Sequence, residues 1–183
     1  MASLNHYVKQ EFLGELEFGW MATSLNPYYE GNDQFHDALT EDCFIEATFD
    51  NWYFGPHNSG NIQQPYFHRS LNEELKRRLA RGGQSADESP NGSKGVFSLV
   101  TADGGMRSIE EPGLQEVNSY KLILNEALVA LNCLDDGGSL VLKTFGSFDC
   151  KTISLIYLLT CLFEKVHFFK PISSKEGNNE VNH

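Results

Sequence analysis

Residues 114–146 read LQEVNSYKLILNEALVALNCLDDGGSLVLKTFG, and this stretch decides the fold. Apolar residues recur every three or four positions through most of it, which predicts an amphipathic helix over 114–134. The run Asp135–Gly138 predicts a turn, and the apolar run 139–146 predicts a strand. A similar apolar run, VFSLVTADGG at 96–105, precedes the helix. Two strands joined through a helix of this length pair in parallel, so the sequence predicts an α/β fold.

The flanking segments add helices and strands to this unit. Residues 82–95, GGQSADESPNGSKG, are polar and rich in Gly and Ser, and we expect a flexible surface loop there. The strands are apolar enough to be buried on both faces, which predicts a mostly parallel sheet with helices on both sides. We expect one domain over residues 1–183. Predicted helices cover 2–13, 33–40, 63–81 and 150–163, and predicted strands or extended segments cover 18–27, 44–49 and 165–171.

Composition and charge restrict the class of protein. The 183 residues are 40% hydrophobic, which is enough for a globular core. No apolar run is long enough to cross a membrane and no secretion signal is recognisable, so we expect an intracellular protein. A net charge of −11 has the wrong sign for holding nucleic acid through the overall field, although a basic cluster over 68–81 allows a local RNA groove as well as a solvated helix face. The four cysteines have no metal-binding spacing, which favours reduced core thiols and predicts no metal site.

Charged residues follow two of the predicted strands at the same end. Asp103 ends the strand in VTADGG, and Lys143 lies near the end of the strand in LVLKTFG. Ligands of parallel α/β sheets bind beyond the carboxyl ends of the strands, so we expect these two side chains to meet at the functional edge. A buried structural ion pair is an equally good explanation of the same spacing. Glu180 is a third candidate, and a solvated loop acid is the simpler interpretation of that residue alone.

Several motifs together resemble the FtsJ-like RNA ribose methyltransferases, and within that family the cap-specific mRNA 2'-O-methyltransferase 2 group. They are ASLNHYVK at 2–9, GWMATSLNPYYEGND at 19–33, NWYFGPHNSGNI at 51–62, and the block from VTADGG to SKEGNNEV. The resemblance covers nearly the whole chain except 82–95. It implies a Rossmann-like class I methyltransferase fold, S-adenosylmethionine as cofactor, the capped 5' end of mRNA as substrate, and location in the nucleus and cytoplasm.

The resemblance also implies roles for particular residues. The family has a Lys-Asp-Lys-Glu catalytic tetrad, of which Asp103, Lys143 and Glu180 match the last three members. Ser24, Asn26, Asn61, Ile62 and Asp103 match the cofactor-binding region. Asn61 stands where the family motif GPxNTGDI has an aspartate, and an asparagine can still accept a hydrogen bond from adenine, though without a charge.

Both edges of the family domain are expected to be missing from the chain. The family's Gly-rich turn and first catalytic lysine should precede ASLNHY, and a further strand should follow NNEV. We therefore expect a partial FtsJ-like domain without its first and last strands, and no measurable methyl transfer by residues 1–183 alone.

The chemistry requires removal of a proton from a ribose hydroxyl that attacks a sulfonium methyl group. Lys143 is the candidate base, with Asp103 orienting it and Glu180 balancing charge. A lysine amine in water has a pKa of about 10.4, so a nearby positive charge must favour the neutral form. Trp52, Tyr53 and Phe54 fit either a stacking surface for cofactor or RNA or, for at least one of them, core packing.

Other functions remain open at this point. Methylation of the first rather than the second transcribed nucleotide, or of ribosomal RNA, uses the same residues. A non-catalytic Rossmann-like module that binds RNA or protein belongs to a different class, and the absent Gly-rich turn favours it. A dehydrogenase is disfavoured because no Gly-x-Gly-x-x-Gly fingerprint follows a first strand. The sequence contains no signal for an oligomeric state.

Overall fold

A computed structural model describes residues 2–11, 18–32, 43–81, 95–106, 114–170 and 181–182. The chain forms two compact units, residues 1–61 and 62–183. The predicted helix at 33–40 lies outside the described residues, as does nearly all of the predicted loop at 82–95. No helix in the described part of the chain is both long and apolar enough to cross a membrane.

The first unit is built from short helices and loops. Helix α1 spans Ala2–Glu11 and α2 spans Cys43–Ala47, with single 3-10 turns at Glu30–Asn32 and Phe49–Asn51. The predicted strand at 18–27 is wrong for its described residues, where only Ala22 forms a bridge, to Trp52. The predicted strand at 44–49 is also wrong, because most of it belongs to α2. An apolar run this short fits a strand or a helix, and in the helix Ile45 is completely buried.

Aromatic side chains form the core of this unit. Trp20 stacks on Phe44 with ring centroids 5.7 Å apart, and Trp52 stacks on Phe54 at 6.1 Å. Phe54 is only 5% exposed. The core-packing interpretation of the 52–54 aromatics is therefore confirmed for Phe54.

The second unit contains the predicted strand–helix–strand arrangement. Strand β1 (Phe97–Ala102) pairs in parallel with β2 (Leu134–Thr144), and β2 pairs antiparallel with the short β3 (Val181–Asn182), in the order β1-β2-β3. Helix α4 (Gln115–Cys133) connects β1 to β2. Helices α3 (Phe67–Arg81) and α5 (Cys150–Leu162) lie near their predicted positions. The α/β class with a parallel strand pair is confirmed.

The predicted turn at 135–138 is part of β2 in the structure. Phe97 pairs with Leu134 and Leu99 already pairs with Ser139, so the intervening residues form a bulge. Gly137 has a φ of +78° within it. A bulge accommodates extra residues without ending the strand. The composition of 135–138 is typical of turns and of bulges alike, so it could not distinguish a bulge within β2 from a turn before the strand.

A core lies between one face of the strands and helices α4 and α5. Ile123 and Ala127 of α4 contact Leu142 and Phe145, together with Leu155 and Leu159 of α5. Buried residues of α4 recur at the helical spacing 119, 123, 127, 130 and 133. On the opposite face Val141 is 43% exposed, so the prediction of burial on both faces is not met at this position.

The segment 165–171 was predicted as a strand, and the described residues 165–170 do not form one. Only Phe169 makes an isolated bridge, and Phe168 and Phe169 are exposed. All four cysteines are free, but only Cys133 is buried, so the prediction of core thiols is wrong for the other three. Burial raises the pKa of the Cys133 thiol to about 11, which keeps it protonated and unreactive.

Candidate functional site

Asp103 and Lys143 meet at the carboxyl edge of the parallel strands. Ala102 is in register with Leu142, so the next residue of each strand reaches the same level of the sheet. The Lys143 Nζ atom lies 2.7 Å from Asp103 Oδ1. The predicted meeting of these two side chains is confirmed, and it follows directly from parallel pairing.

The two partners of this ion pair differ in their access to solvent. The Lys143 side chain is 14% exposed, whereas that of Asp103 is 86% exposed. Lys143 Nζ also lies 5.2 Å from the centre of the Phe145 ring. A Cβ atom at Gly105 would come within 2.8 Å of that ring, so glycine leaves the space that the Phe145 ring occupies beside Lys143. The site therefore holds a sheltered amine beside an open carboxylate.

A second carboxyl group lies under the turn that follows Asp103. Glu126 of α4 accepts a hydrogen bond from the Gly104 N–H through Oε1 at 2.8 Å. A Cβ atom at Gly104 would overlap this carboxyl group, so a larger residue would push the Glu126 side chain out of its present position. Oε2 of Glu126 is shielded from solvent and has no hydrogen-bond partner among the described residues.

Burial raises the pKa of Glu126 to about 7. The Gly104 hydrogen bond and the charge of Lys143 favour the carboxylate, while the charge of Asp103 disfavours it. Burial dominates because a carboxylate loses more hydration than one hydrogen bond restores. Glu126 therefore changes its charge near neutral pH, within the influence of the Asp103–Lys143 pair.

Sequence reasoning did not identify Glu126, although a signal was present. Glu126 stands three residues after Ile123 and four before Ala130, on the buried side of α4. A single acid on the apolar stripe of an amphipathic helix needs a polar partner inside the fold. The partner is a backbone amide, which no side-chain motif reveals.

Glu116, one residue into α4, holds the loop that leaves β2. Its carboxylate accepts hydrogen bonds from the Phe148 N–H at 3.0 Å and the Asp149 N–H at 2.9 Å. Asp149 in turn caps α5, because its side chain accepts from the Lys151 N–H at 2.9 Å. Two acids of α4 thus contact the loops that follow β1 and β2.

The proposed cofactor residues of the first unit lie in two loops that contact each other. The Asn26 N–H donates to the Ser59 carbonyl at 2.9 Å, and a Cβ atom at Gly60 would overlap the Ser24 carbonyl. The Asn61 N–H donates to Ser59 Oγ at 3.2 Å. The structure therefore brings the segments of Ser24, Asn26 and Asn61 together, while Ile62 begins the second unit.

Asn26 has a structural task within these loops. It is 3% exposed, its Nδ2 donates to the Asn58 carbonyl at 2.7 Å, and its Oδ1 accepts from the Tyr28 N–H at 2.9 Å. Its side chain organises the loop from the inside. Its role in cofactor binding stays a prediction, as do those of Ser24 and Asn61.

Glu180 lies outside the described residues, so its position relative to Lys143 stays a prediction. The strand that begins at the next residue pairs with β2 at Thr144 and Lys143. Among the described residues no three His, Cys, Asp or Glu side chains form a group that could hold a metal ion.

The basic cluster of α3 is largely paired within its own helix. Arg77 and Arg78 bind Glu74 at 2.7 Å, and Arg69 binds Glu73 at 3.3 Å. The two arginines hold the pKa of Glu74 below its usual value although burial opposes them. These contacts favour the solvated helix face over an RNA groove for this cluster.

The parallel pair β1–β2 with the crossover helix α4 is consistent with a Rossmann-like α/β fold, in which ligands bind beyond the carboxyl ends of the strands. The chain belongs to the FtsJ-like methyltransferase family, whose model matches residues 21–182.

Similar proteins carry names within this family. The chain is 41% identical over 181 residues to "Cap-specific mRNA (nucleoside-2'-O-)-methyltransferase 2" of Mus musculus, covering 99% of the chain and 21% of that relative. It is 37% identical to the protein of the same name in Drosophila melanogaster, covering 99% of the chain and 24% of the relative. Identity to "Cap-specific mRNA (nucleoside-2'-O-)-methyltransferase 1" of Mus musculus is 46%, but over 87 residues, 48% of the chain and 10% of the relative. The chain thus spans about a fifth to a quarter of the methyltransferase 2 relatives.

Proposed function

We propose that the chain contributes to transfer of a methyl group from S-adenosylmethionine to the ribose 2'-hydroxyl of a cap-proximal nucleotide of mRNA. The observation that carries the proposal is the Lys143 Nζ to Asp103 Oδ1 contact of 2.7 Å at the carboxyl edge of the parallel strands. Membership of the FtsJ-like family and the names of the relatives support the reaction class.

Lys143 acts as the base in this proposal. Its amine is sheltered from water, so a ribose hydroxyl placed against it loses its proton to Nζ rather than to solvent. Asp103 accepts a hydrogen bond from Nζ and so fixes the direction of the amine. When bound, S-adenosylmethionine supplies the methyl group and a positive charge that favours the neutral amine.

The residues present fit such a cofactor. Asp103 is open to a ligand while still bonded to Lys143, and the Ser24 and Asn61 segments contact each other. For binding it we propose Ser24, Asn26 and Asn61 in the first unit, and Ile62 and Asp103 in the second. For Glu180 we propose the balancing charge, supported by the pairing of β3 next to Lys143.

We propose the second transcribed nucleotide as the site, with activity in the nucleus and cytoplasm. Similarity to the methyltransferase 2 relatives extends over 99% of the chain, whereas similarity to the methyltransferase 1 relatives extends over 48%. Nuclease digestion of the methylated RNA followed by mass spectrometry identifies the nucleotide. If the methyl group is found on the first nucleotide, the second-nucleotide proposal is wrong and the first transcribed nucleotide is the substrate.

Replacement of Lys143 tests the function. In the full-length product of the gene, Lys143→Ala is expected to lower methyl transfer to capped RNA by at least about 100-fold, because general-base catalysis contributes about 10²–10⁴-fold. Lys143→Arg should fail as well, since a guanidinium does not lose its proton. The measurement is transfer of labelled methyl from S-adenosylmethionine to a capped oligoribonucleotide.

The matched control is Lys121→Ala, which removes an exposed lysine of α4. It should retain wild-type transfer. If Lys143→Ala retains transfer too, Lys143 is not the base. If the wild-type protein does not transfer methyl but binds RNA, the non-catalytic binding module is the correct function.

A further inference from the structure

The turn after Asp103 is held by a carboxyl group that the proposed reaction does not use. Asp103 is 86% exposed, and its exposed side chain needs a fixed backbone to stay at 2.7 Å from Lys143. The residue that follows it, Gly104, donates its N–H to Glu126 Oε1 at 2.8 Å. The contact joins residues 22 positions apart, from the strand exit to the middle of α4.

We propose that Glu126 is a positioning residue for the Asp103–Lys143 pair, and this inference rests on the proposed function of that pair. By accepting the Gly104 N–H, Glu126 fixes the backbone from which the Asp103 carboxylate extends, and thereby the direction in which Lys143 presents its amine.

Three observations support the proposal. Gly104 approaches Glu126 so closely that a Cβ atom there would displace the carboxyl group from its present position. Oε2 of Glu126 finds no partner among the described residues, so the Gly104 N–H to Oε1 contact is the hydrogen bond that offsets burial of this carboxyl group. Ile123 and Ala127 on the same helix belong to the packed core, which gives Glu126 a rigid base.

The charge of Glu126 reaches the pair as well. Among the described residues, Lys143 and Asp103 are the charged groups that act on it, in opposite directions. A protonated Glu126 still accepts from Gly104 through its carbonyl oxygen, while it adds no negative charge beside Lys143. Glu126 can therefore hold the turn in its protonated as well as its ionised form.

Two uncharged variants separate the hydrogen bond from the charge. Glu126→Gln keeps an acceptor for the Gly104 N–H, and Glu126→Leu has similar size without one. We expect the Gly104 amide and the Lys143 ammonium protons to exchange with solvent at least about 10-fold faster in the Leu variant than in the Gln variant, measured by ¹⁵N-edited NMR. Equal exchange in the two variants would overturn the proposal.

Kinetics of the full-length enzyme supply the second measurement. Glu126→Leu should lower kcat by on the order of 10²-fold with KM unchanged, because misplacement of a catalytic group costs about that much. Glu126→Gln should restore most of the rate. Asn132→Leu, a polar-to-Leu change on the exposed side of the same helix, serves as the control and should leave both parameters unchanged. A Gln variant as slow as the Leu variant would contradict the positioning role.

The two proposals can fail separately. If no protein form transfers methyl, the proposed function fails while amide and ammonium exchange still decide the role of Glu126. If Glu126→Leu does not fold, the wild-type chain provides the test: the Gly104 amide proton shift should follow the Glu126 carboxyl shift through its titration. A Gly104 signal that ignores this titration would overturn the inference.

Discussion

At the scale of single residues, the loops of the proposed cofactor residues depend on a glycine that lets two backbone segments approach closely. Gly60 has a φ of +72°, and a Cβ atom there would overlap the Ser24 carbonyl. The contact lies between the two loops that carry the proposed cofactor residues Ser24 and Asn61. Replacing Gly60 with alanine, which adds one methyl group, therefore tests how tightly these loops pack.

Gly60→Ala is expected to destabilise the first unit and weaken S-adenosylmethionine binding. The left-handed conformation alone costs about 1–2 kcal/mol for a residue with a Cβ atom, and the overlap with backbone adds to this cost. Gly137→Ala is the control, since Gly137 has a φ of +78° but no atom within 4 Å of its Cβ position. Urea unfolding and calorimetric titration with the cofactor measure the two effects. A Gly60 variant no worse than the Gly137 variant would show that the loops can separate at no cost.

The residue scale also shows how far sequence reasoning could go. Asp103 and Lys143 were predictable because parallel pairing places consecutive strand ends at one edge, whatever the details of packing. Glu126 was missed because its partner is the Gly104 N–H, and backbone amides are the same at every residue.

At the scale of elements, α4 determines the geometry of both loops beyond the parallel strands. Glu126 accepts from the loop after β1, and Glu116 accepts from the loop after β2. Asp149, whose N–H donates to Glu116, is also the N-cap of α5. The contact with Glu116 therefore helps to set where that helix begins.

Glu116→Ala is expected to lower the free energy of unfolding by about 1.5 kcal/mol, the lower end for hydrogen bonds to a charged group, because the loop is partly solvated. Glu116→Gln should recover part of the loss by keeping an acceptor. Chemical denaturation measures both variants, and hydrogen exchange should show the loss concentrated at Phe148 and Asp149. Uniformly unchanged exchange at these amides would show that the loop is held by other contacts.

Elements were predicted well where periodicity was long and poorly where it was short. The buried positions of helix α4 recur over about four turns, so its bounds were nearly correct. The runs at 18–27 and 44–49 carry too few residues to separate a strand from a helix or loop. There the aromatic contacts of Trp20, Phe44 and Trp52 decide the backbone path.

At the scale of the whole molecule, the buried Glu126 couples folding to pH. Its pKa is about 7 in the folded chain, above the ordinary glutamate value of about 4.3. Between these two values the unfolded chain releases the proton first, so the folded state loses stability as pH rises through this window.

Glu126→Gln should remove this pH dependence. Relative to the variant, the free energy of unfolding of the wild-type chain is expected to fall by about 3 kcal/mol between pH 4 and pH 8, most of it between pH 5 and pH 7. Urea unfolding of both proteins at these pH values measures the difference. A difference that stays constant with pH would mean that Glu126 titrates as an exposed acid.

By itself, the sequence determined the α/β class, the parallel β1–α4–β2 unit and the edge at which Asp103 and Lys143 meet. These follow from hydrophobic period and strand direction, which are local properties of the chain. Only the tertiary structure decided that β2 runs through the 135–138 bulge, that Val141 stays exposed, and that Glu126 lies under the turn of Gly104. Those outcomes depend on which surfaces come within a few ångströms of each other, and residue spacing along the chain does not encode that distance.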